Sequence, residues 1–193
     1  MSDFDYLINY AQNTFGLDDA DVKRIDDYFE IQTPKKNEII LNSGEVCKNI
    51  YFVKKGILRT FHINSNGTEF TRLIVKENQF CTVLISFQEK MASPAFIQAL
   101  EDCVLFRISQ ENFLRFVSQS ENAKKIYTTI LEEFQNFQIK RLEFLTQYSP
   151  QEKTEIFIKE NPELESRITD KIIASYLQIT PETYSRCKKK LES

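Results

Sequence analysis

The side chains best suited to chemistry lie near the C-terminus, where hydroxyl, carboxylate and guanidinium groups follow one another closely. At the start of a helix, Arg186 can donate two hydrogen bonds to guanine and Glu182 can accept one from cytosine. Lys188–Lys190 follow, so four positive charges fall within five residues, which suits a phosphate backbone. Tyr184 and Leu191 are predicted to face the core instead. The predicted DNA-contacting residues are Thr180, Glu182, Thr183, Ser185, Arg186, Lys188 and Lys189.

A pair of short helices is predicted to position these side chains. Thr169 can cap the first helix, and Thr180 can cap the second, where Pro181 suits the first helical position. The connection at Gln178–Ile179 leaves room only for a sharp corner. Residues 168–191 are therefore predicted to form a helix-turn-helix. One alternative stays open: an ordinary helical hairpin whose basic end merely complements the helix dipole.

The composition is that of an ordinary globular protein rather than a nucleic-acid coat. The chain has 193 residues, 41% hydrophobic and 27% charged, with a net charge of −3. Residues 165–193 nevertheless hold six Lys or Arg against four Asp or Glu, and a basic end on an acidic body favours a regulator. The sequence contains neither a long apolar run nor a signal peptide, so we expect a cytoplasmic protein without a membrane partner.

The four cysteines are predicted to be free thiols. They are far apart in the sequence, at Cys47, Cys81, Cys103 and Cys187. A reducing cytoplasm favours free thiols, and a disulfide pair is the less favoured alternative.

The middle of the chain is predicted to be a β-rich domain of the jelly-roll type. Helical patterns occupy residues 4–29, and short β-runs divided by turn residues occupy residues 36–109. The dipeptide Asn66–Gly67 between two such runs is a strong hairpin signal. About eight strands of this kind predict an α+β fold with a double-sheet jelly roll or barrel.

A long helix is predicted at about residues 120–147, on the order of 40 Å in length. Its apolar residues alternate by three and four, as in a helix that pairs with a second copy. The predicted dimer seam is Tyr127, Ile130, Phe134, Phe137 and Arg141. Periodicity alone slightly favours the alternative, a single wide apolar face buried within one monomer. Leu131, Leu142 and Leu145 flank the seam.

The domain boundary is predicted directly after the long helix. Ser149 and Glu152 have the spacing of a capping box, with Pro150 at the first helical position. We therefore expect a domain over residues 1–148 that includes the long helix, and a small helical domain over residues 149–193.

The order of these elements resembles the Crp/Fnr family of bacterial transcription regulators over nearly the whole chain. Gly44 with Ile50–Gly56 looks like the β-roll signature of that family, whose sensor domain is a cyclic nucleotide-binding-like jelly roll. The segment Ile179–Arg186 looks like its recognition helix. The chain ends soon after Leu191, so we expect it to lack the β-hairpin wing of many members.

The resemblance implies a role for several residues of the C-terminal helix. Glu182 and Arg186 match base-reading positions, and Thr183 matches a phosphate contact. The implied function is a homodimeric transcription regulator, neither enzyme nor metal protein, with each recognition helix in a major groove. Its partners would be double-stranded DNA with a pseudo-palindromic operator, a second copy of itself, and RNA polymerase.

The predicted sensor domain departs from the cyclic nucleotide-binding members of the family. Those members carry a Gly-Glu pair and then an Arg followed by a small residue, and Ser93–Pro94 stands near the arginine position here. Because a buried anion without a cation partner is costly, we expect no cyclic nucleotide cofactor. A cyclic-nucleotide-responsive regulator is the alternative. A pocket for another small-molecule effector could be lined by Phe80, Cys81, Ser86, Phe87, Met91 and Ser93.

Two other classes of function compete with a DNA-binding regulator. A cupin-type enzyme would share the jelly roll, but its metal needs several converging His and carboxylate ligands. The only histidine, His62, lies in a probable strand, so we predict no catalytic residues and no metal. The other alternative is a small-molecule or protein-binding β-roll module without sequence-specific DNA binding.

Overall fold

The computed structural model describes residues 4–191, and within them the α+β fold predicted from the sequence is confirmed. The helices of this part of the chain are α1 (Asp5–Phe15), α2 (Asp19–Val22), α3 (Ile25–Tyr28), α4 (Leu84–Glu89), α5 (Gln110–Gln119), α6 (Glu121–Gln147), α7 (Pro150–Glu160), α8 (Pro162–Arg167), α9 (Asp170–Leu177) and α10 (Pro181–Leu191). Its strands are β1 (Phe29–Gln32), β2 (Ile39–Leu41), β3 (Asn49–Lys55), β4 (Leu58–Ile63), β5 (Glu69–Val75), β6 (Phe80–Cys81), β7 (Phe96–Ala99) and β8 (Val104–Ser109).

The strands form two four-stranded sheets with jelly-roll connectivity. The order is β1-β8-β3-β6 in one sheet and β2-β7-β4-β5 in the other. In the first sheet, antiparallel pairing sets Phe52 opposite Phe106. In the second, it sets Leu58 opposite Ala99. All four of these side chains are fully buried, so the register is fixed by the apolar inner faces.

Aromatic rings fill the core beneath the first sheet. Phe52 lies 5.0 Å from Phe80 and 6.4 Å from Phe106, measured between ring centroids. Leu7 of α1 and Ile25 of α3 pack against this cluster. The N-terminal helices therefore cover one face of the β-roll, as their apolar periodicity indicates.

The turn after β3 requires a glycine. Gly56 has a backbone φ of +104°, and a Cβ atom there would approach the Sγ of Cys103 to 2.5 Å. Both the conformation and the close approach exclude a side chain. This accounts physically for the glycine that ends the β-roll signature motif.

Contacts group the chain into two compact units. The first comprises the chain up to His62 together with Ile74–Leu131, and the second comprises Ile63–Leu73 and the chain from Glu132 onward. The hairpin tip between β4 and β5 and the second half of α6 thus belong with the C-terminal helices. The domain boundary predicted at residues 148–149 coincides with the gap between α6 and α7. As a boundary between domains, it stays a prediction. The outer ends of the predicted domains, residues 1–3 and 192–193, lie outside the described residues.

Local sequence signals placed most helix ends well. Ser149 and Glu152 form the predicted capping box, and α6 ends at Gln147 as expected. Two short helices, α4 and α8, were not predicted because neither is long enough to show an apolar period. Phe29, predicted to continue a helix, instead begins β1, where backbone pairing with β8 outweighs its helical spacing.

Among residues 4–191, no helix combines the length and the apolar character that crossing a membrane requires.

Candidate nucleic-acid interface

Two short helices joined by a tight corner, α9 and α10, form where the sequence predicts a helix-turn-helix. The Thr169 hydroxyl accepts a hydrogen bond from the Ile172 N–H at the start of α9. Gln178 then adopts a left-handed conformation with φ of 55°, which makes the corner. The Thr180 hydroxyl accepts from the Thr183 N–H at 3.2 Å and so caps α10.

A compact apolar layer fixes α10 in place. Ile173, Leu177 and Tyr184 are 0% exposed, and α10 packs against both α7 and α9. Burial raises the pKa of Tyr184 to about 12, so its hydroxyl stays neutral. Tyr184 faces the core as predicted, whereas Leu191 is 40% exposed and that part of the prediction is wrong. Leu191 is the final residue of α10, where the supporting helices no longer cover it.

The opposite face of α10 is open and basic. An open depression on this face is bordered by Pro181, Glu182, Ser185, Arg186, Lys189 and Lys190. Three of these six side chains are cationic and one is anionic, so the face attracts phosphate while keeping one acceptor. We call this surface the basic face of α10.

The anionic group on the basic face is held in its ionised form. A hydrogen bond from its own backbone N–H and another from the Thr180 hydroxyl keep the pKa of Glu182 below its usual value. Thr183, by contrast, is partly buried, and its hydroxyl lies 3.1 Å from that of Thr180. The ionised carboxylate of Glu182 is an acceptor of hydrogen bonds, and Thr183 serves partly to shape the helix start.

One predicted DNA-contacting residue turns away from this face. The Lys188 ammonium forms an ion pair with Glu165 and lies 3.9 Å from the Asp170 carboxylate. The hydrogen bond with Glu165 raises the pKa of Lys188. The ion pair with Glu165 competes with a DNA contact at Lys188, and that contact stays a prediction. Lys189 remains exposed.

A serine in α9 fastens the helix-turn-helix to the tip of the β4–β5 hairpin, and we call this contact the Ser175 latch. The Ser175 hydroxyl accepts from the Thr71 N–H at 2.9 Å and donates to the Glu69 carbonyl, also at 2.9 Å. The Thr71 hydroxyl lies 3.2 Å away. All three residues belong to the second compact unit. Sequence reasoning missed this latch, since its two sides lie about a hundred positions apart.

The predicted dimer seam on α6 is only partly covered. Tyr127, Ile130, Phe134 and Phe137 are all partly buried. The Tyr127 hydroxyl accepts from Gln88 at 2.8 Å, and its ring meets that of Phe113 edge-on.

Arg141 requires a correction, because it lies inside the second unit rather than on an open seam. It is 8% exposed, and its guanidinium carbon lies 3.8 Å from the centroid of the Tyr176 ring. The neighbouring apolar residues Ile139 and Leu142 are instead 52% and 65% exposed. The open apolar surface of the second half of α6 thus lies to one side of the predicted seam.

The predicted small-molecule residues of the β-roll mostly satisfy one another. The Ser86 hydroxyl accepts from the Cys47 N–H at 2.8 Å and donates to the Met91 carbonyl at 2.6 Å. The Ser93 hydroxyl donates to the Ala95 carbonyl, again at 2.6 Å. Because both hydroxyls are buried and engaged, neither is available to a ligand as the fold stands.

The other members of that predicted set belong to the core or to the surface. Phe87 is 2% exposed, and Cys81 is 1% exposed, with a thiol pKa that burial raises. Phe80 packs on Phe52, whereas Met91 is 49% exposed. The structure thus divides these side chains between interior and surface, and a small-molecule site lined by them stays a prediction.

Comparisons with known proteins identify the fold. Residues 31–120 match the family model of the cyclic nucleotide-binding domain. Among solved structures, FixK2 from Bradyrhizobium japonicum superposes with a TM-score of 0.75 at 15% identity, covering 85% of this chain and 84% of that chain. A Crp/Fnr-family protein from Eubacterium rectale superposes with a TM-score of 0.74 at 24% identity, covering 95% of this chain and 88% of that chain. CLP, a c-di-GMP-responsive global regulator from Xanthomonas campestris, superposes with a TM-score of 0.73 at 15% identity. That match covers 91% of this chain and 92% of the CLP chain. Comparison with curated proteins finds no match.

The chain therefore contains a β-roll of the cyclic nucleotide-binding type, followed by a long helix and a helical C-terminal region. This is the fold of the Crp/Fnr transcription regulators, as the motifs around Gly44 and Ile179–Arg186 predict.

Proposed function

We propose that this protein is a homodimeric transcription regulator that reads double-stranded DNA with α10. The observation that carries the proposal is the basic face of α10, where Arg186 and Lys189 stand beside the ionised Glu182. An arginine and a carboxylate on the first turns of such a helix match the donor and acceptor pattern of a G·C pair. Lys189 and Lys190 then neutralise backbone phosphates.

A second copy is proposed to pair through α6. Ile139 and Leu142 are exposed apolar side chains on this helix, and a helix of 27 residues is long enough to form a substantial interface. Pairing sets two recognition helices on one face of the DNA, with half-sites about one helical turn apart on a pseudo-palindrome. RNA polymerase as a further partner stays a prediction.

The β-roll is proposed to have lost cyclic nucleotide binding. Ser93 and Pro94 stand where an arginine would meet the cyclic phosphate, and the Ser93 backbone is tied to the neighbouring turn. Its carbonyl accepts from the Gly44 N–H at 2.8 Å, and its N–H donates to the Glu45 carbonyl at 2.7 Å. These bonds fix the loop, and neither Ser93 nor Pro94 supplies a cation to a phosphate.

We further propose that the protein is not an enzyme and acts in the cytoplasm. The solved neighbours named above are transcription regulators. In residues 4–191, no three His, Cys, Asp or Glu side chains come together as metal ligands.

Selection of bound sites from random duplex DNA tests the proposal. The full chain is used at two salt concentrations, with and without cyclic AMP. We expect a two-fold-symmetric site whose affinity falls steeply as salt rises, because neutralised phosphates release counterions. Failure to enrich any sequence, with weak and salt-independent binding, would favour the β-roll module without DNA recognition.

Comparing the selection with and without cyclic AMP distinguishes a regulator that has lost nucleotide binding from one that responds to cyclic nucleotides. Unchanged site and affinity are expected if the nucleotide does not bind. A large gain in affinity would instead establish a cyclic-nucleotide-responsive regulator and overturn the proposed loss.

A further inference from the structure

A cavity of 580 Å³ lies in the second compact unit, bordered by residues of α6, α7 and α9. Its walls are rich in aromatic rings, among them Phe144, Tyr148, Phe157 and Tyr176. Phe144 and Tyr148 lie 5.7 Å apart, and Phe157 and Tyr176 lie 5.9 Å apart, between ring centroids. The volume and the aromatic side chains of this open cavity suit a small planar molecule, and half of its lining residues are polar or charged.

A buried guanidinium forms part of the wall of this cavity. The Arg141 Nη2 donates to the Tyr176 backbone carbonyl, and the guanidinium lies against the Tyr176 ring at 3.8 Å and near the Phe144 ring at 5.6 Å. The Nη1 amine is shielded from solvent and has no acceptor in the described part of the chain. The guanidinium of Arg141 thus contacts two aromatic rings and one backbone carbonyl, while its Nη1 donor forms no hydrogen bond.

The charge of Arg141 is also uncompensated. Burial lowers its pKa, and no carboxylate among residues 4–191 forms an ion pair with it. Lys153 is 8% exposed, and burial together with the charge of Arg141 lowers its pKa as well. Glu143 and Glu160 border the cavity, yet both are exposed to solvent. The buried guanidinium of Arg141, without a counter-charge and close to a second cation, costs free energy that a bound anion would offset.

We propose that this cavity binds a small organic anion, with a planar aromatic body between the rings and a carboxylate or phosphate group at Arg141. Aromatic walls favour a flat apolar body, and the unused Nη1 donor of Arg141 suits one charge-assisted hydrogen bond to a carboxylate or phosphate oxygen. The site differs from the β-roll pocket considered above and from the basic face of α10. It joins α6 to α9, the first helix of the helix-turn-helix. The inference does not depend on DNA binding.

The test measures binding of simple probes to the full chain at fixed ionic strength. Benzoate and phenyl phosphate are the anionic probes, and benzyl alcohol and benzylamine are the neutral and cationic controls of the same ring size. Calorimetry and thermal unfolding are expected to show one site per chain for at least one anion, with a raised Tm. The better anion identifies the acid group. No binding of either anion, or equal binding of benzyl alcohol, would overturn the proposal.

Two arginine variants locate the site. Arg141→Met should weaken anion binding by about tenfold or more, since a charge-assisted hydrogen bond is lost. Arg186→Met removes the same charge from the basic face of α10 and should leave probe binding unchanged. If Arg186→Met abolishes binding and Arg141→Met does not, the anion binds at the α10 surface and the assignment is wrong.

Thermal unfolding without ligand separates a binding role from a purely structural one. Removing the unpaired buried charge should offset the loss of the hydrogen bond to the Tyr176 carbonyl, so the Tm of Arg141→Met should stay close to that of the wild type. Arg115→Met, at an exposed arginine of α5, is the matched control for the substitution. Should Arg141→Met fail to fold, Arg141→Lys keeps the charge but loses the planar fork, and it must still bind anions more weakly than wild type. Wild-type affinity in that variant would refute the site.

Discussion

Residues 80–95 of the β-roll, which we call the cassette region, and α10 use polar side chains in opposite ways. In the cassette region, Ser86 and Ser93 are buried, and their hydroxyls form hydrogen bonds with neighbouring backbone groups. On α10, Arg186 and Lys189 point to solvent, above a fully buried layer of apolar side chains. The first arrangement stabilises a fold, and the second leaves charge available to a partner.

This contrast predicts that substitutions in the two regions will have different consequences. Removing a satisfied buried hydroxyl costs stability, because its former partners stay buried without a hydrogen bond. Removing an exposed cation costs little stability and mainly affects the partner that it would bind. Stability and DNA affinity, measured on the same variants, therefore separate the two regions.

The largest effect is expected where the support of α10 is removed. Leu177→Ala creates a cavity under the basic face and should lower the free energy of unfolding by about 2–5 kcal/mol, measured by urea denaturation. Leu114→Ala, at a side chain of α5 that is 55% exposed, is the matched control. A small effect of Leu177→Ala would mean that the apolar layer does not hold α10.

The next largest effect on stability is expected in the cassette region. Ser86→Ala leaves the Cys47 N–H and the Met91 carbonyl without their partner and should cost about 1–3 kcal/mol of stability. The affinity of the folded protein for DNA should not change. Ser118→Ala, which removes an exposed hydroxyl bonded within α5, serves as the control. Loss of DNA affinity without loss of stability would contradict the passive role given to this region.

The Ser175 latch allows a finer test. Ser175→Ala should destabilise the protein by about 1 kcal/mol and speed hydrogen exchange at the Thr71 amide, which loses its acceptor. Ser166→Ala removes an exposed hydroxyl of α8 and should change neither quantity. Unaltered exchange at Thr71 would show that the latch is not formed in solution.

The smallest expected effect is the loss of stability at low pH through the capping box at the start of α7. Hydrogen bonds from the Ser149 hydroxyl and N–H hold the pKa of Glu152 below its usual value of 4.5. A lowered pKa means that the stabilisation is present above the usual value and is lost as pH falls through the folded-state pKa. NMR titration of the Glu152 carboxyl should show this shift, and Ser149→Ala should return the pKa toward 4.5. A normal pKa in the wild type would exclude the capping box in solution.

Features encoded by neighbouring residues were predictable, and features that depend on distant contacts were not. The caps at Thr169 and Thr180 and the capping box at Ser149 identified α9, α10 and α7 because each cap bonds only a few residues ahead. The sequence also singled out most of the basic face of α10, since exposed positions need no knowledge of the core.

Sequence patterns were insufficient where another part of the chain decides the environment of a side chain. Lys188 is neutralised by Glu165, and Arg141 is buried against Tyr176. Neither partner can be identified from helical periodicity. The Ser175 latch likewise joins α9 to a strand far away in the sequence.

The most direct test of DNA reading by α10 is the affinity of the wild type and Arg186→Ala for the selected operator and for each of its single-base-pair variants. The wild type should discriminate at every read position. Arg186→Ala should lose about 1–3 kcal/mol of discrimination at one base pair of each half-site and little at the others, with an unchanged Tm. An equal loss of affinity on every sequence would mean that Arg186 only contacts phosphate, and it would contradict base reading by α10.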